Sequence, residues 1–282
     1  MNLSADGIYK IKSRLLAYSP NLKESWMLLA YIYIGLMILS IIIALIMRIV
    51  GITKPEAWRV LFSALQFAIA AVVIVNRLGK NSSYVPISSP RQSSLLWLLF
   101  VLFTLSVDVA AEPLTMWIKA WISMPDIVKK IYAEYSQINL PVFLVVAVIY
   151  PIRDEWLYRG IILKGLLSHY PPVNAIVWSA VIYTVIHLSP WWALQQFCFA
   201  LAIGWIYWQT RSLWCCISLQ AACNIGGIFI AYFTQVIPGE TKYADLAGGY
   251  YIYPVALLVC ALAIIGIKKV VVPYDVTSES RG

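Results

Sequence analysis

Ionisable residues interrupt the apolar sequence between residues 153 and 160, which read Arg-Asp-Glu-Trp-Leu-Tyr-Arg-Gly. Glu155 and Arg159 are four residues apart, so on a helix they lie on one face and can form an ion pair. Asp154 points about 100° away from Glu155, and the spacing offers it no such partner on its own helix. This carboxylate must find a partner on another helix or stay protonated, because an isolated charge is costly inside a bilayer.

His187 is the second residue that could do chemistry. Asp154 and His187 lie equally far on either side of the connection at residues 170–171. In an antiparallel helix pair joined there, the two side chains reach the same depth. A carboxylate beside an imidazole can orient a water molecule and take its proton, which is general-base catalysis. An ion pair that only joins two helices is the alternative.

Gln220 and Asn224 form a third polar group, four residues apart on one helix face. At about 1.5 Å per residue, Asn224 lies ~20 Å along its helix from the turn near Arg211, close to the depth of Asp154 and His187. Amides at this position could donate hydrogen bonds to a developing oxyanion. The alternative is that they bridge neighbouring helices. One intramembrane histidine among carboxylates is a poor zinc ligand set, so no metal is expected.

The composition places these residues in a membrane. Hydrophobic residues make up 61% of the chain, charged residues 12%, and the mean hydropathy is +0.78. A soluble globule could not hide this much apolar surface, which excludes a soluble enzyme, a disordered chain and a disulfide-built secreted domain. The five cysteines lie in or beside apolar runs, have no CxxC or zinc-ligand spacing, and are expected to be buried small hydrophobic residues. The net charge of +8 comes from basic residues beside predicted spans, so no nucleic-acid partner is expected.

The expected fold is all-α, a polytopic membrane protein with about eight transmembrane helices. A segment of about 20 apolar residues crosses the bilayer, and eight such segments are predicted at residues 26–49, 57–75, 94–110, 139–167, 173–188, 191–209, 213–236 and 251–267. The fourth is expected to be one long helix. Basic residues are more numerous on the side of the two ends, which predicts cytoplasmic termini in a plasma (inner) membrane protein. Residues 1–25 lack the apolar core of a cleavable signal peptide, so none is expected.

The connection between the third and fourth predicted spans carries a helical pattern of its own. Apolar residues repeat at helical spacing over 114–122 and again over 127–135, with a break at Pro125. This pattern predicts two amphipathic helices in the outer membrane interface. The predicted spans divide the chain into three parts: residues 1–138, with three spans and the interfacial helices; 139–238, with spans four to seven and the three polar groups; and 239–282, with the last span and the tail.

The three polar groups together resemble the motifs of the CPBP family, the CAAX-prenyl-protease and bacteriocin-processing (Abi) intramembrane proteases. The family's first motif is a Glu pair followed after three residues by Arg, and Asp154, Glu155 and Arg159 match it. The second motif is an aromatic residue, three residues and His, matched by Tyr183 and His187.

The last motif of the family is His, three residues and Asn, and it is matched by Gln220 and Asn224. The match covers roughly residues 140–230, with order and spacing intact. Two positions depart from the family pattern: Asp154 stands in place of the first Glu, and Gln220 stands in place of His. Gln can donate a hydrogen bond but cannot carry a proton or a charge.

The resemblance implies an intramembrane endopeptidase that needs no cofactor and acts on a membrane-associated peptide or protein in the lipid bilayer. It implies roles for seven residues: Asp154, helped by Glu155 and His187, activates water; Gln220 and Asn224 hold the oxyanion; Arg159 and Tyr183 orient the others. The two departures leave an alternative open, a family member that no longer cleaves and binds a partner as an immunity or scaffold protein. A small transporter is a weaker alternative, because the chain lacks an internal repeat.

Overall fold

The computed structural model describes residues 20–51, 93–126, 128–129, 140–234 and 242–271, and all regular secondary structure within these ranges is helical. In chain order the helices are α1 (Leu22–Val50), α2 (Ser94–Trp121), α3 (residues 140–169), α4 (Pro172–Ile186), a short 3₁₀ turn (Pro190–Trp192), α5 (Ala193–Thr210), α6 (Leu213–Thr234), α7 (Tyr243–Ala247) and α8 (Ile252–Val270). The predicted all-α class is therefore confirmed for the described residues.

Four described helices are long and apolar enough to cross a membrane: Leu22–Ile43 within α1, Ser94–Trp121, Leu213–Ile230 and Ile252–Val270. Their outward faces carry large exposed apolar side chains, as lipid-facing helices do. The chain is thus an integral membrane protein. The predicted second span, residues 57–75, lies outside the described residues, and the total of eight spans stays a prediction.

Local sequence signals explain how two of the helices begin. Asn21 and Glu24 cap the start of α1 reciprocally, since each side chain accepts a hydrogen bond of 3.0 Å from the other's backbone N–H. The Ser93 hydroxyl accepts from the backbone N–H of Leu96 at 3.3 Å and caps α2. Arg211 ends α5 in the left-handed region, with φ of 51°.

The predicted boundary at residue 110 is wrong, because α2 runs without a break from Ser94 to Trp121. The first predicted interfacial helix, over 114–122, is therefore the end of α2 and not a separate element. Thr115 is buried, and Glu112 is only 7% exposed, so helix contacts continue beyond the predicted end of the span. Most of the second predicted interfacial helix, over 127–135, lies outside the described residues.

The fourth predicted span is confirmed as one continuous helix. Five helical stretches follow each other without a gap to form α3: Leu140–Leu144, Val145–Ile149, Tyr150–Glu155, Trp156–Leu163 and Lys164–His169. The second and fourth of these are π-helical. The first π stretch ends two residues before Pro151, and a proline inside a helix disturbs the preceding turn because it has no N–H and its ring clashes with a carbonyl. π-helical turns of this kind are frequent at functional sites.

The helices after α3 pack into one bundle with α2. Helix α5 packs against both α4 and α2, and Phe103 and Trp205 meet edge to face with their ring centres 5.4 Å apart. Helix α8 lies along α2, and α6 packs against α5 and the first half of α3. The core of this bundle is apolar, with fully buried side chains such as Phe100, Ile162 and Ile203. This packing places the polar part of α3 between α4 and α6.

Replacing Gly165 by alanine is expected to destabilise the protein. A Cβ at Gly165 would lie 2.4 Å from Cδ of Pro20 and 2.6 Å from its backbone N and O. Backbone atoms cannot rotate away, so α3 and the start of α1 would have to separate, at a cost of about 1–3 kcal/mol in the free energy of unfolding. The thermal unfolding midpoint in detergent measures this loss.

The matched control is Gly227→Ala on α6, where a Cβ meets no described atom within 4 Å. This variant is expected to be neutral or up to ~1 kcal/mol more stable, because alanine favours a helix interior over glycine. Equal midpoints for the two variants would contradict the close approach at Gly165.

Candidate functional site

Glu155 and Arg159 form the ion pair that their spacing predicts. Arg159 Nη1 donates to Glu155 Oε1 at 3.0 Å, and the two side chains are 0% and 1% exposed. Arg159 also donates from Nη2 to the backbone carbonyl of Ala200 on α5 at 3.1 Å. The guanidinium therefore neutralises a buried carboxylate and joins α3 to α5.

Asp154 has a partner on another helix and also one on its own helix, and only the second differs from the prediction from spacing. Its Oδ1 accepts from Arg153 Nε at 2.7 Å, and its Oδ2 accepts from Gln220 Nε2 at 3.4 Å. The prediction considered only residues one turn apart, but the long arginine side chain can fold back onto the adjacent residue. Asp154 is 5% exposed and thus lies between a cation on α3 and an amide on α6.

His187 lies where α4 ends, within the bundle. Its Nδ1 is 2.7 Å from the carbonyl oxygen of Tyr183, and since a carbonyl can only accept, Nδ1 carries a proton in this contact. In the neutral ring this leaves Nε2 as the acceptor, which is the state needed to take a proton from water. The next residue, Leu188, turns the chain with φ of 47°, a region that L-residues seldom adopt.

Tyr183 joins the first two motifs. Its ring centre is 4.2 Å from that of His187, and the guanidinium carbon of Arg159 lies 5.0 Å from the Tyr183 ring centre. The cation and the aromatic face attract each other. The predicted orienting role of Tyr183 stays a prediction, and these contacts are the ones through which it would act.

Asp154 and His187 are not hydrogen-bonded to each other, although both are described. They are near each other through Tyr158, which follows Asp154 by four residues on α3 and has its ring centre 6.3 Å from that of His187. Contacts between α3 and α4 bring the first two motifs into one polar site. The equal depth of Asp154 and His187, which counting from residues 170–171 gives, stays a prediction.

Asn224 contacts the backbone of α3. Its Nδ2 donates to the carbonyl oxygen of Val146 at 2.8 Å, within the first π stretch. Asn224 therefore bridges α6 and α3, which is the alternative that the sequence left open for it. An amide nitrogen has two hydrogens, and the contact with Val146 uses one of them.

Two tyrosines in the site have no counterpart among the predicted residues. The hydroxyl of Tyr158 is 3.4 Å from that of Tyr33 on α1, and the rings of Tyr158 and Tyr183 meet edge to face at 4.9 Å. Tyr158 stands four residues after Asp154, so its spacing alone could have indicated a shared face. No signal in the sequence connects Tyr33 to the site, because its contact depends on how α1 packs against α3.

Three polar atoms of the site are buried and lack a hydrogen-bond partner in the described part of the chain. They are Glu155 Oε2, Arg159 Nε and Gln220 Oε1. Buried polar groups without partners cost free energy, and they are expected at sites that bind a polar ligand. Among the described residues no group of three or more His, Cys, Asp or Glu side chains could hold a metal ion.

A second polar network joins α2 to α5 and α8. Gln195 Nε2 donates to Asp108 Oδ1 at 2.7 Å, and Thr115 donates to Gln195 Oε1 at 3.3 Å. The Tyr253 hydroxyl donates to Glu112 Oε2 at 2.8 Å. These contacts satisfy polar groups between helices and are separate from the three motifs, which lie on α3, α4 and α6.

The region that carries the three motifs also matches a family model. Residues 136–226 match the family described as type II CAAX prenyl endopeptidase Rce1-like. We refer to the matched residues 136–226 as the Rce1-like domain. This domain begins just before α3 and ends within α6, so it contains Asp154, Glu155, Arg159, His187 and Gln220, and it agrees with the resemblance to the CPBP family. Helices α1, α2 and α8 lie outside the Rce1-like domain. No curated protein and no solved structure matches the chain significantly.

Proposed function

We propose that the chain is an intramembrane endopeptidase in which Asp154 and His187 activate a water molecule. The observation that carries this proposal is the convergence of the three motifs of the Rce1-like domain: Asp154 contacts Gln220, and Tyr183 links Arg159 to His187. The family consists of peptidases, which supports peptide-bond hydrolysis as the reaction.

The proposed reaction begins with a water molecule held between the Asp154 carboxylate and His187 Nε2. Asp154 takes one proton of the water as general base, and the hydroxide attacks the carbonyl carbon of the scissile peptide. The tetrahedral intermediate collapses when the proton passes to the amide nitrogen. The C–N bond then breaks and releases an amine and a carboxylic acid. No covalent intermediate with the protein is needed.

Gln220 is proposed to orient Asp154 and to donate a hydrogen bond to the oxyanion. Its Nε2 already contacts Asp154 Oδ2, and the second hydrogen on that nitrogen can serve the oxyanion. A glutamine suffices for both tasks, because neither requires a proton to be exchanged. Glu155 supports the site through its pair with Arg159, whose guanidinium holds this second carboxylate in place.

The proposed substrate is a membrane-associated peptide or protein. The site lies on helices of an integral membrane protein. A soluble peptide would have to enter the bundle from water, whereas a membrane-anchored peptide is already in the same bilayer.

We further propose a plasma membrane location with cytoplasmic termini, because of the distribution of basic residues along the whole chain. The division into residues 1–138, 139–238 and 239–282 belongs to the same proposal.

The test compares purified, reconstituted wild type with His187→Ala on a library of membrane-anchored peptides. Cleavage by the wild type that is lost in His187→Ala is the expected result, and the cleaved sequences give the substrate preference. The thermal midpoint of the variant controls for folding. If His187→Ala cleaves as the wild type does while keeping its midpoint, the imidazole has no part in the reaction. If neither protein cleaves any library member, the proposal of protease activity fails.

A further inference from the structure

The carbonyl of Val146 lies at a break in the backbone hydrogen bonding of α3. The N–H of Tyr150 donates to the carbonyl of Val145, five residues earlier, which is the π-helical register. In the same register the carbonyl of Val146 would accept from residue 151. That residue is Pro151, which has no N–H. The helix itself therefore leaves this carbonyl without the donor that its register calls for.

The side chain of Asn224 supplies a donor at this point. Asn224 Nδ2 is 2.8 Å from the carbonyl oxygen of Val146, although the two residues are 78 positions apart in the chain. A backbone carbonyl inside a membrane bundle has no bulk water to bond, so an external donor has more value there than on a soluble surface. The contact lies between α6 and the π stretch of α3 and ties the two helices together.

We propose that Asn224 is a positioning residue that replaces the hydrogen bond removed by Pro151 and thereby holds α3 in its π-helical register. Asp154 stands three residues after Pro151, and Glu155 stands four residues after it. The hydrogen-bond register of this turn therefore sets where both carboxylates point. Gln220, one turn before Asn224 on α6, contacts Asp154. Asn224 and Gln220 thus attach one face of α6 to α3 at two points, one on the backbone and one on the carboxylate.

This role differs from the oxyanion donation that the sequence resemblance implies for Asn224. A donor to the oxyanion would act on the substrate and would be needed whatever the sequence of α3. A donor to Val146 is needed only because residue 151 is proline. The two roles are therefore separated by removing the proline.

The experiment is a double-mutant cycle of wild type, Asn224→Ala, Pro151→Ala and the double variant, all as full-length protein in detergent. Asn224→Ala is expected to lower the thermal midpoint by roughly 3–6 °C in the wild-type background, because a buried carbonyl loses its donor. In the Pro151→Ala background the same change is expected to have little effect. With alanine at position 151, the Val146 carbonyl has a backbone donor in either register. The donor is the N–H of residue 151 in a π-helix and the N–H of Tyr150 in an α-helix. Ser218→Ala, at an exposed position of α6, is the control and should show no dependence on Pro151.

Cleavage rates test positioning separately from stability, because a contact that only stabilises the fold would not change kcat. This part of the experiment rests on the proposed function. Asn224→Ala is expected to lower kcat on the order of 10- to 100-fold with a smaller change in KM, because the carboxylates are misplaced. In the Pro151→Ala background it is expected to add no further loss of kcat.

Two results would overturn the proposal. One is an equal drop in thermal midpoint for Asn224→Ala in both backgrounds, which would mean that the contribution of Asn224 does not depend on Pro151. The other is a loss of kcat that persists in the Pro151→Ala background, which would place Asn224 on the substrate. If the wild type cleaves nothing, the proposed protease function fails, and the thermal cycle still decides whether Asn224 replaces the missing donor.

Discussion

Replacing Arg159 by alanine is expected to lower the free energy of unfolding by about 3–5 kcal/mol, because it leaves the buried Glu155 carboxylate without a counter-charge. The two side chains are 1% and 0% exposed, so water cannot take over the role of the guanidinium. The substitution also removes the hydrogen bond to Ala200 on α5 and the contact with the Tyr183 ring. The measurement is the thermal midpoint and the yield of monodisperse protein in detergent.

Two variants show whether the lost charge pair causes this effect. Arg48→Ala removes the same side chain at an exposed position of α1 and is expected to keep the wild-type midpoint. Glu155→Gln combined with Arg159→Met removes both charges and is expected to be less destabilised than Arg159→Ala, since no unpaired charge remains buried. A midpoint for Arg159→Ala equal to that of Arg48→Ala would refute the structural importance of the pair.

Replacing Asp154 by asparagine is expected to reduce kcat by about 10²–10⁴-fold, the usual contribution of a general base. Asparagine has nearly the same shape as aspartate, but its amide cannot accept a proton from water at neutral pH. The Gln220 contact can persist through the remaining carbonyl oxygen, so the bundle is expected to stay folded with a midpoint near that of wild type. Single-turnover cleavage of a library-derived peptide measures the chemical step.

The matched control is Asp108→Asn on α2. Asp108 also accepts a hydrogen bond from a glutamine, with Gln195 Nε2 at 2.7 Å, but it lies in the second polar network and outside the Rce1-like domain. This variant is expected to cleave at the wild-type rate. Asp154→Asn that cleaves as fast as Asp108→Asn would exclude Asp154 as the general base.

The contact between residues one full helical turn apart was predictable from spacing. The Glu155–Arg159 pair follows from a separation of four residues, and the continuity of α3 follows from an apolar run that carries on past its charged segment. The π stretches were not predictable in the same way, because a proline inside a helix can be accommodated by a kink, a bulge or a break. The end of α2 was not predictable either. Ser93 marks where this helix begins, but the apolar periodicity beyond residue 110 fits a continuing helix as well as a new one.

The partners of Asp154 show where spacing was insufficient. Arg153 is next to Asp154 in the sequence, but adjacent residues on a helix point in different directions, so spacing did not predict their contact. The conformation of the arginine side chain brings its Nε to the carboxylate. Tyr33 joins the site from α1, outside the region that the family motifs cover. Its place depends on packing between helices that are distant in the chain.

The sequence by itself predicted a helical membrane protein and three polar motifs that resemble those of an endopeptidase family, because composition indicates the membrane and the motifs keep the family's order and spacing. The tertiary structure decided what each polar side chain contacts. Gln220 reaches Asp154, and Asn224 reaches the Val146 carbonyl instead of an open site, since α6 packs against a π-helical turn. A hydrogen bond depends on distances of a few tenths of an ångström between helices, and residue spacing along one helix cannot specify these.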